Sequence, residues 1–358
     1  MKTTKKLLSL SLALLLSTFT LGCKQANAID STNATTTKTQ ETSLGEMKIH
    51  YIDVGQGDSE LIQVDGKNIL IDAGNNDSMA YNYLKKLGIK KLDYVMATHP
   101  HSDHIGGMTQ IINEFDIGEF YAPKVNHTTK TFENMIKALQ SKGIKLTAPT
   151  PGDTLNVGNA TLQFLAPNST KYEDMNNYSI ACKLKYGNTS YVFMGDAEAL
   201  SEGEILAKQL DISADVLKLG HHGSHSSTSQ AFLEKVNPRY AIVSCGKGND
   251  YGHPHQETID KLNKKGIEIL RTDVSGTIIS TSDGNNINFN VNASGTSIGN
   301  GTNNNTPETK TKSNSVWVAN KTSKVYHSSK ECSNMKAPTQ ISLEDAQAKG
   351  LKPCSKCN

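Results

Sequence analysis

Apolar runs of strand length recur through the middle of the chain, at Met47–Val54, Asn68–Ala73, Tyr94–Ala97, Tyr191–Met194, Val216–Leu219 and Tyr240–Ser244. Several are rich in β-branched and aromatic residues, which suit a pleated, half-buried surface. Between them, Met79–Leu87, Ala231–Val236 and Glu202–Leu210 repeat apolar residues at helical spacing, and Ile105–Met108 reads as the opening of another helix. Strands alternating with helices predict an α/β layered domain over residues 47–292. About 245 residues are enough to bury one ample core.

The pattern changes at both ends. Lys2, Lys5 and Lys6 precede an apolar stretch, Leu7–Leu16, and then Thr20-Leu21-Gly22-Cys23. This is the layout of an export signal, too short for a membrane span. Gly before Cys resembles a bacterial lipobox, so residues 1–23 are expected to direct lipidation of Cys23. The protein would then be a membrane lipoprotein facing outward. Thr20 departs from the usual leucine, and secretion after Ala26-Asn27-Ala28 is the alternative. Residues 24–46 and 293–315, rich in Thr, Asn, Ser and Gly, hold few large apolar side chains and read as a tether and a linker.

Charge excludes one reading of the central domain. Residues 47–292 carry 23 Lys and Arg against 28 Asp and Glu, a net of −5, so this domain is no general polyanion sink. The tail differs, with seven Lys against three acids in residues 316–358. It could steer nucleic acid, or be a solvated basic surface.

Candidate chemistry concentrates in Thr98-His99-Pro100-His101-Ser102-Asp103-His104, directly after an apolar run. Three imidazoles and a carboxylate crowded at a strand end would be costly to bury unpaired, whereas divalent cations take such ligands. The string predicts a hydrolytic metal site on a strand-to-helix loop. Two ions side by side can generate a bridging hydroxide and stabilise the charge of its attack.

The same string resembles the ligand motif of the metallo-β-lactamase superfamily. Asp53–Ser59 (DVGQGDS), Asp72–Gly74, Asn176–Ser179, Gly195–Glu198 (GDAE), His221–Ser224 (HHGS) and Tyr251–His255 (YGHPH) are similar to the hydrolase domain of ComEC-type competence proteins. The resemblance implies a four-layer αββα sandwich with two divalent ions, zinc or manganese. It implies His99 and His101 on the first ion, Asp103 and His104 on the second, and Asp196 between them. His221 would complete the second site, with His222 as the alternative, and Asp72 would orient a ligand histidine. Where the wider superfamily has a further histidine, this chain reads Met175-Asn176-Asn177-Tyr178-Ser179. Asn177 is expected beside the ligands, and an amide oxygen there favours harder ions. His253 and His255 are expected to donate to a phosphoryl oxygen or leaving group. The hydroxyls of Ser224–Ser229 are expected to cap the helix that follows.

Residues 316–358 hold His327, Cys332, Cys354 and Cys357, the last two in a Cys-x-x-Cys knuckle. So short a unit needs a structural metal or cross-link to fold. The tract resembles the Ada-like metal-binding domain of some bacterial nucleases, which implies one zinc on these four residues. A disulfide is the alternative. Cys182 and Cys245 read as buried thiols. The function expected from all this is a surface-anchored phosphodiesterase or nuclease acting on extracellular DNA, with no obligate protein partner. The alternatives are hydrolysis of phosphorylcholine, a cyclic dinucleotide or a lactam, or capture of DNA without cutting.

Overall fold

The structure, a computed structural model, describes residues 44–293 and, further along, residues 315–319, 323–327, 338–342, 346 and 349–354. Cys23 with its signal segment, most of the expected tether and linker, Cys332 and Cys357 lie outside the described residues. The chain divides into two compact units, parted between residues 296 and 297.

Two mixed sheets form the first unit. In chain order its strands begin with β1 (Met47–Tyr51), β2 (Glu60–Val64), β3 (Lys67–Ile71), β4 (Lys91–Met96), β5 (Asp116–Tyr121), β6 (Leu146–Thr147), β7 (Thr154–Val157) and β8 (Ala160–Ala166). They continue with β9 (Ala181–Tyr186), β10 (Thr189–Phe193), β11 (Val216–Lys218), β12 (Tyr240–Val243), β13 (Glu268–Arg271), β14 (Ile278–Ser282) and β15 (Ile287–Phe289). One sheet runs β15-β14-β1-β2-β3-β4-β5-β6, the other β13-β12-β11-β10-β9-β8-β7. The helices are α1 (Met79–Lys86), α2 (Ser102–Ile105), α3 (Met108–Glu114), α4 (Lys130–Lys142), α5 (Ala199–Ala207), α6 (Gln230–Val236), α7 (Gln256–Lys264) and α8 (Thr272–Ser275).

Strand alternation explains the layering, because successive side chains point to opposite faces. In β1–β3, Ile49, Tyr51, Ile62, Ile69 and Ile71 face the second sheet and meet Phe164, Tyr191 and Phe193. The intervening Leu61 and Leu70 turn outward and pack under α1 and α3 through Leu84, Met108 and Ile112. On the other sheet Val216 and Ile242 point inward, while Leu217, Ala241 and Val243 point outward to Ile205, Phe232 and Leu262. Three apolar layers separate four layers of structure, the αββα sandwich.

Two boundaries differ from the sequence reading. The helix after the His-rich string begins at Ser102, inside the motif, so Asp103 and His104 stand on α2 and not on a loop. The expected helix Glu202–Leu210 starts earlier, at Ala199. The capping expectation resolves to Ser229, whose side-chain oxygen accepts from the Phe232 N–H at the start of α6.

In the second unit, β16 (Ser315–Val318) pairs antiparallel with β18 (Thr339–Ser342), and β17 (Val325–Tyr326) pairs parallel with β19 (Lys352–Pro353). The Cys354 N–H donates to the Tyr326 carbonyl at 2.9 Å, which sets buried His327 and Cys354 at the same end of that pair. Among the described residues no helix is long and apolar enough to cross a membrane.

Candidate metal centre

The chemistry-bearing residues gather where parallel strands end. β3 pairs parallel with β4, and β10, β11 and β12 run parallel to one another. Just beyond their carboxyl ends come Asp72 after β3, the His-rich string after β4, Asp196 after β10 and His221-His222 after β11. Loops at that edge can converge without disturbing the sheets.

Two donor sets meet there. His99, His101 and Asp196 form one, and His104, His222, Asp58 and Asp196 form the other. In the first, His99 Nε2 lies 3.0 Å from His101 Nδ1 and 3.7 Å from Asp196 Oδ2. In the second, His222 Nε2 lies 3.6 Å from Asp196 Oδ2, and Asp103, outside the set, brings Oδ2 within 3.2 Å of the same nitrogen. His104 Nε2 and Asp196 Oδ1 are 3.2 Å apart, each buried and without a hydrogen-bond partner. Lone pairs packed face to face without hydrogen bonds suit a shared cation, so the residues present fit divalent metal.

Carboxylates behind the rings fix their tautomers. Asp72 Oδ2 sits 2.7 Å from His104 Nδ1, and accepts from the Thr98 hydroxyl as well. That turns His104 Nε2 toward Asp196, the orienting role the sequence expected of Asp72. Sequence reasoning missed the matching partners of His222. Its Nδ1 lies 3.0 Å from the Ser244 carbonyl and 3.2 Å from Asp58 Oδ1. Asp58 in turn accepts a 2.6 Å bond from the fully buried ammonium of Lys218. We therefore read Asp58 as orienting His222, although its oxygen falls within the donor cluster. The long reach from Asp58 to Lys218 left no local signal beyond the DVGQGDS string.

His222, the alternative, joins the four-donor set, while His221 stands outside it with its Nε2 3.8 Å from Asp196 Oδ2. His222 is fully buried and backed by acceptors, whereas the His221 Nδ1 turns to Glu198 Oε1 and the Ser226 hydroxyl, both at 3.2 Å. Both residues hold the left-handed conformation, with φ 49° and 54°. Such non-glycine geometry costs about 1–3 kcal/mol per residue and persists at functional sites.

The field of the cluster is strongly polarised. Burial alone would raise the Asp196 carboxyl, but the His104 and His222 rings hold it well below the usual carboxylate range. Burial alone would lower His222, yet Asp196 and Asp58 push it up to about 10. His99 goes the other way, held well below the usual value by burial and by neighbouring His104. The carboxylates thus call for positive charge that a dication supplies while leaving the imidazoles free to ligate.

The cluster floors a cavity of about 360 Å³ lined by His101, Asp103, Asn176, Asp196, His222 and His253 among others. His253 reaches this wall, and its buried Nδ1 has no hydrogen-bond partner. Burial and the charges of His222, His221 and His255 lower its pKa to about 4, so it is neutral at pH 7. His255 does not line the cavity, a correction to its expected role: its Nδ1 accepts the His225 N–H at 3.0 Å and the ring packs on His225. The paired asparagines also separate. Asn177 Oδ1 accepts from the Glu198 and Ser201 N–H groups at the start of α5. Asn176 lines the cavity, with a buried Oδ1 that lacks a partner. Ser179, marked in the sequence only as the end of the Asn176–Ser179 string, accepts the Asp196 N–H at 3.0 Å and lies 3.3 Å from His99 Nδ1.

Residues 52–247 match the Metallo-beta-lactamase superfamily. The chain belongs to that superfamily. Among curated relatives, ComE operon protein 3 of Bacillus subtilis (strain 168) is 31% identical over 253 residues, covering 65% of this chain and 33% of the relative. Competence protein ComA of Neisseria gonorrhoeae is 29% identical over 237 residues, covering 65% of this chain and 32% of the relative. The chain thus spans about a third of the length matched in each. Among solved structures, Igni18, a metallo hydrolase of Ignicoccus hospitalis, covers 66% of this chain and 98% of its own at TM-score 0.47 and 18% identity. As a metallo-β-lactamase superfamily member the protein is a metal-dependent hydrolase, and the His/Asp cluster is where divalent ions would be held.

Proposed function

We propose that the protein is an exported metal-dependent phosphodiesterase, a nuclease that cuts extracellular DNA. The observation that carries the reading is the pair of donor sets sharing Asp196 beneath an open polar cavity. The competence-protein relatives support a DNA substrate. His99, His101 and Asp196 would hold one ion, and Asp103, His104, His222 and Asp196 the other. When bound, such a pair lowers the pKa of water and polarises a phosphoryl oxygen.

The chain's own residues supply the rest. Asp72 and the Ser244 carbonyl keep the Nδ1 protons of His104 and His222 in place, so that both Nε2 lone pairs turn toward Asp196. Lys218 neutralises Asp58 inside the protein, where an unpaired carboxylate would be costly. Neutral His253, with an unpartnered Nδ1, can hydrogen-bond a phosphoryl oxygen. Lipid attachment at Cys23 would keep the enzyme at the outer face of the membrane, and a zinc on His327, Cys332, Cys354 and Cys357 would fold the basic tail.

The test uses the chain from residue 24 onward, stripped of metal and then given manganese, magnesium or zinc with linear and single-stranded DNA. Metal-dependent cutting that falls at least a hundredfold in Asp103→Ala supports the reading. Absence of cutting with every metal, or unchanged cutting by Asp103→Ala, contradicts it.

A further inference from the structure

Tyr251 is 66% exposed, more than any other large apolar side chain among the described residues, yet it stands on the wall of the metal cavity. Its ring lies nearly parallel to His253, with an interplanar angle of 18° and centroids 5.7 Å apart. His253 covers one face of the tyrosine, and the high exposure leaves much of the ring open to solvent. The ring of His253 is in turn 5.9 Å from that of His222 in the donor cluster. Two ring-to-ring steps therefore lead from the metal donors to an open aromatic face.

The support beneath that face is fixed. Asn249 Nδ2 donates to the carbonyls of Gly246 and His253, at 2.9 and 2.6 Å, and its Oδ1 accepts the His253 N–H at 2.9 Å. The Gly246 N–H is anchored to Gln56 Oε1 at 3.1 Å on the opposite sheet's loop. A side chain this exposed adds little to the core, while the loop beneath it is held by polar side-chain bonds on both sides. The rest of the lining is polar side chains, His101, Asp103, His127, Thr129 and Asn176 among them, so Tyr251 brings the one phenol ring to the cavity wall.

We infer that Tyr251 is a stacking platform for the nucleobase attached to the phosphate being cut, which makes the enzyme a reader of unpaired strands. The inference rests on the phosphodiesterase reading above. Every base presents a π-face, and stacking on an aromatic side chain holds it without sequence preference. In a duplex those faces are already occupied by neighbouring bases, so a strand must be single or frayed before Tyr251 can engage it. Offset stacking on His253 also keeps the tyrosine ring pre-oriented, which lowers the entropy lost on binding.

The experiment compares two single-stranded oligonucleotides of equal length, one with all its bases and one with abasic tetrahydrofuran residues flanking a central phosphodiester. The readout is the ratio of kcat/KM on the two, for the unaltered enzyme, Tyr251→Phe and Tyr251→Ala. The ratio is expected to fall about tenfold in Tyr251→Ala and to hold within about twofold in Tyr251→Phe, the size of one lost base stack. An equal ratio in all three overturns the platform while leaving the phosphodiesterase intact. A fall in Tyr251→Phe as large as in Tyr251→Ala also overturns it, because the hydroxyl and not the ring would then be the contact. If the unaltered enzyme cuts neither strand, the phosphodiesterase reading fails and the platform fails with it.

Discussion

At the scale of single residues, the adjacent histidines after β11 divide their labour. Both follow the same apolar run and both are strained, so neither spacing nor composition separates them. What separates them is what lies behind each ring: an acceptor pair, Ser244 and Asp58, for His222, and solvent-edge groups, Glu198 and Ser226, for His221. His222→Ala is accordingly expected to weaken manganese binding by more than about a hundredfold, and His221→Ala by about tenfold, the lower end of what outer partners cost. Titration calorimetry on the metal-stripped protein reads both, and the reverse order would restore His221 as the ligand. The string from His99 to His104 was legible because its donors are consecutive in the chain. The roles of Asp58, Lys218 and Ser179 were not, because they reach the site through strand pairing and sheet packing that no local pattern records.

At the scale of elements, the site depends on how closely two loops approach. The segment after β1 lies against the turn that carries Asp103, with the Asp58 N–H donating to the Asp103 carbonyl at 3.2 Å. Gly57 makes that approach possible: it has φ +148°, and a Cβ there would sit 2.3 Å from the Asp103 carbonyl oxygen. Gly57→Ala must therefore move the loop or the ligand turn. The expected outcome is at least a tenfold loss of metal affinity, with secondary structure by circular dichroism intact; unchanged affinity would mean the two loops are not coupled. The sequence located β1, β3, β4, β10, β11 and β12 because their apolar runs are continuous, and left the other strands of the first unit unnamed, whereas α2 escaped notice because four residues carry no periodicity. Its start at Ser102 is set by His101 remaining extended, with φ −72° and ψ 149°.

For the whole molecule, the three apolar layers explain why periodicity pointed to α/β layers but could not give their number. Alternation tells which residues leave each face of a strand, not which second sheet meets them. The sandwich also buries polar groups outside the site. His50 on β1 is enclosed with its ring nitrogens 2.8 Å from the Tyr83 hydroxyl and 3.1 Å from Gln63 Oε1. Burial lowers its pKa below the usual 6.5, so the folded protein binds a proton there less readily than the unfolded chain. The unfolded chain takes up a proton near pH 6.5 and the folded one only at lower pH, so stability is held above pH 6.5 and falls as pH drops below it. Melting temperatures between about pH 7.5 and pH 5.5 should decline less steeply in His50→Gln than in the unaltered protein. Equal slopes would show that His50 protonates alike in both states.

The central claim is a pair of metal ions sharing Asp196. Anomalous diffraction from crystals grown with manganese tests it most directly. The account predicts two peaks at the carboxyl ends of the parallel strands, one beside His99 and His101, the other beside His104 and His222, with Asp196 touching both. A single peak, or two that leave Asp196 without a metal contact, would contradict it.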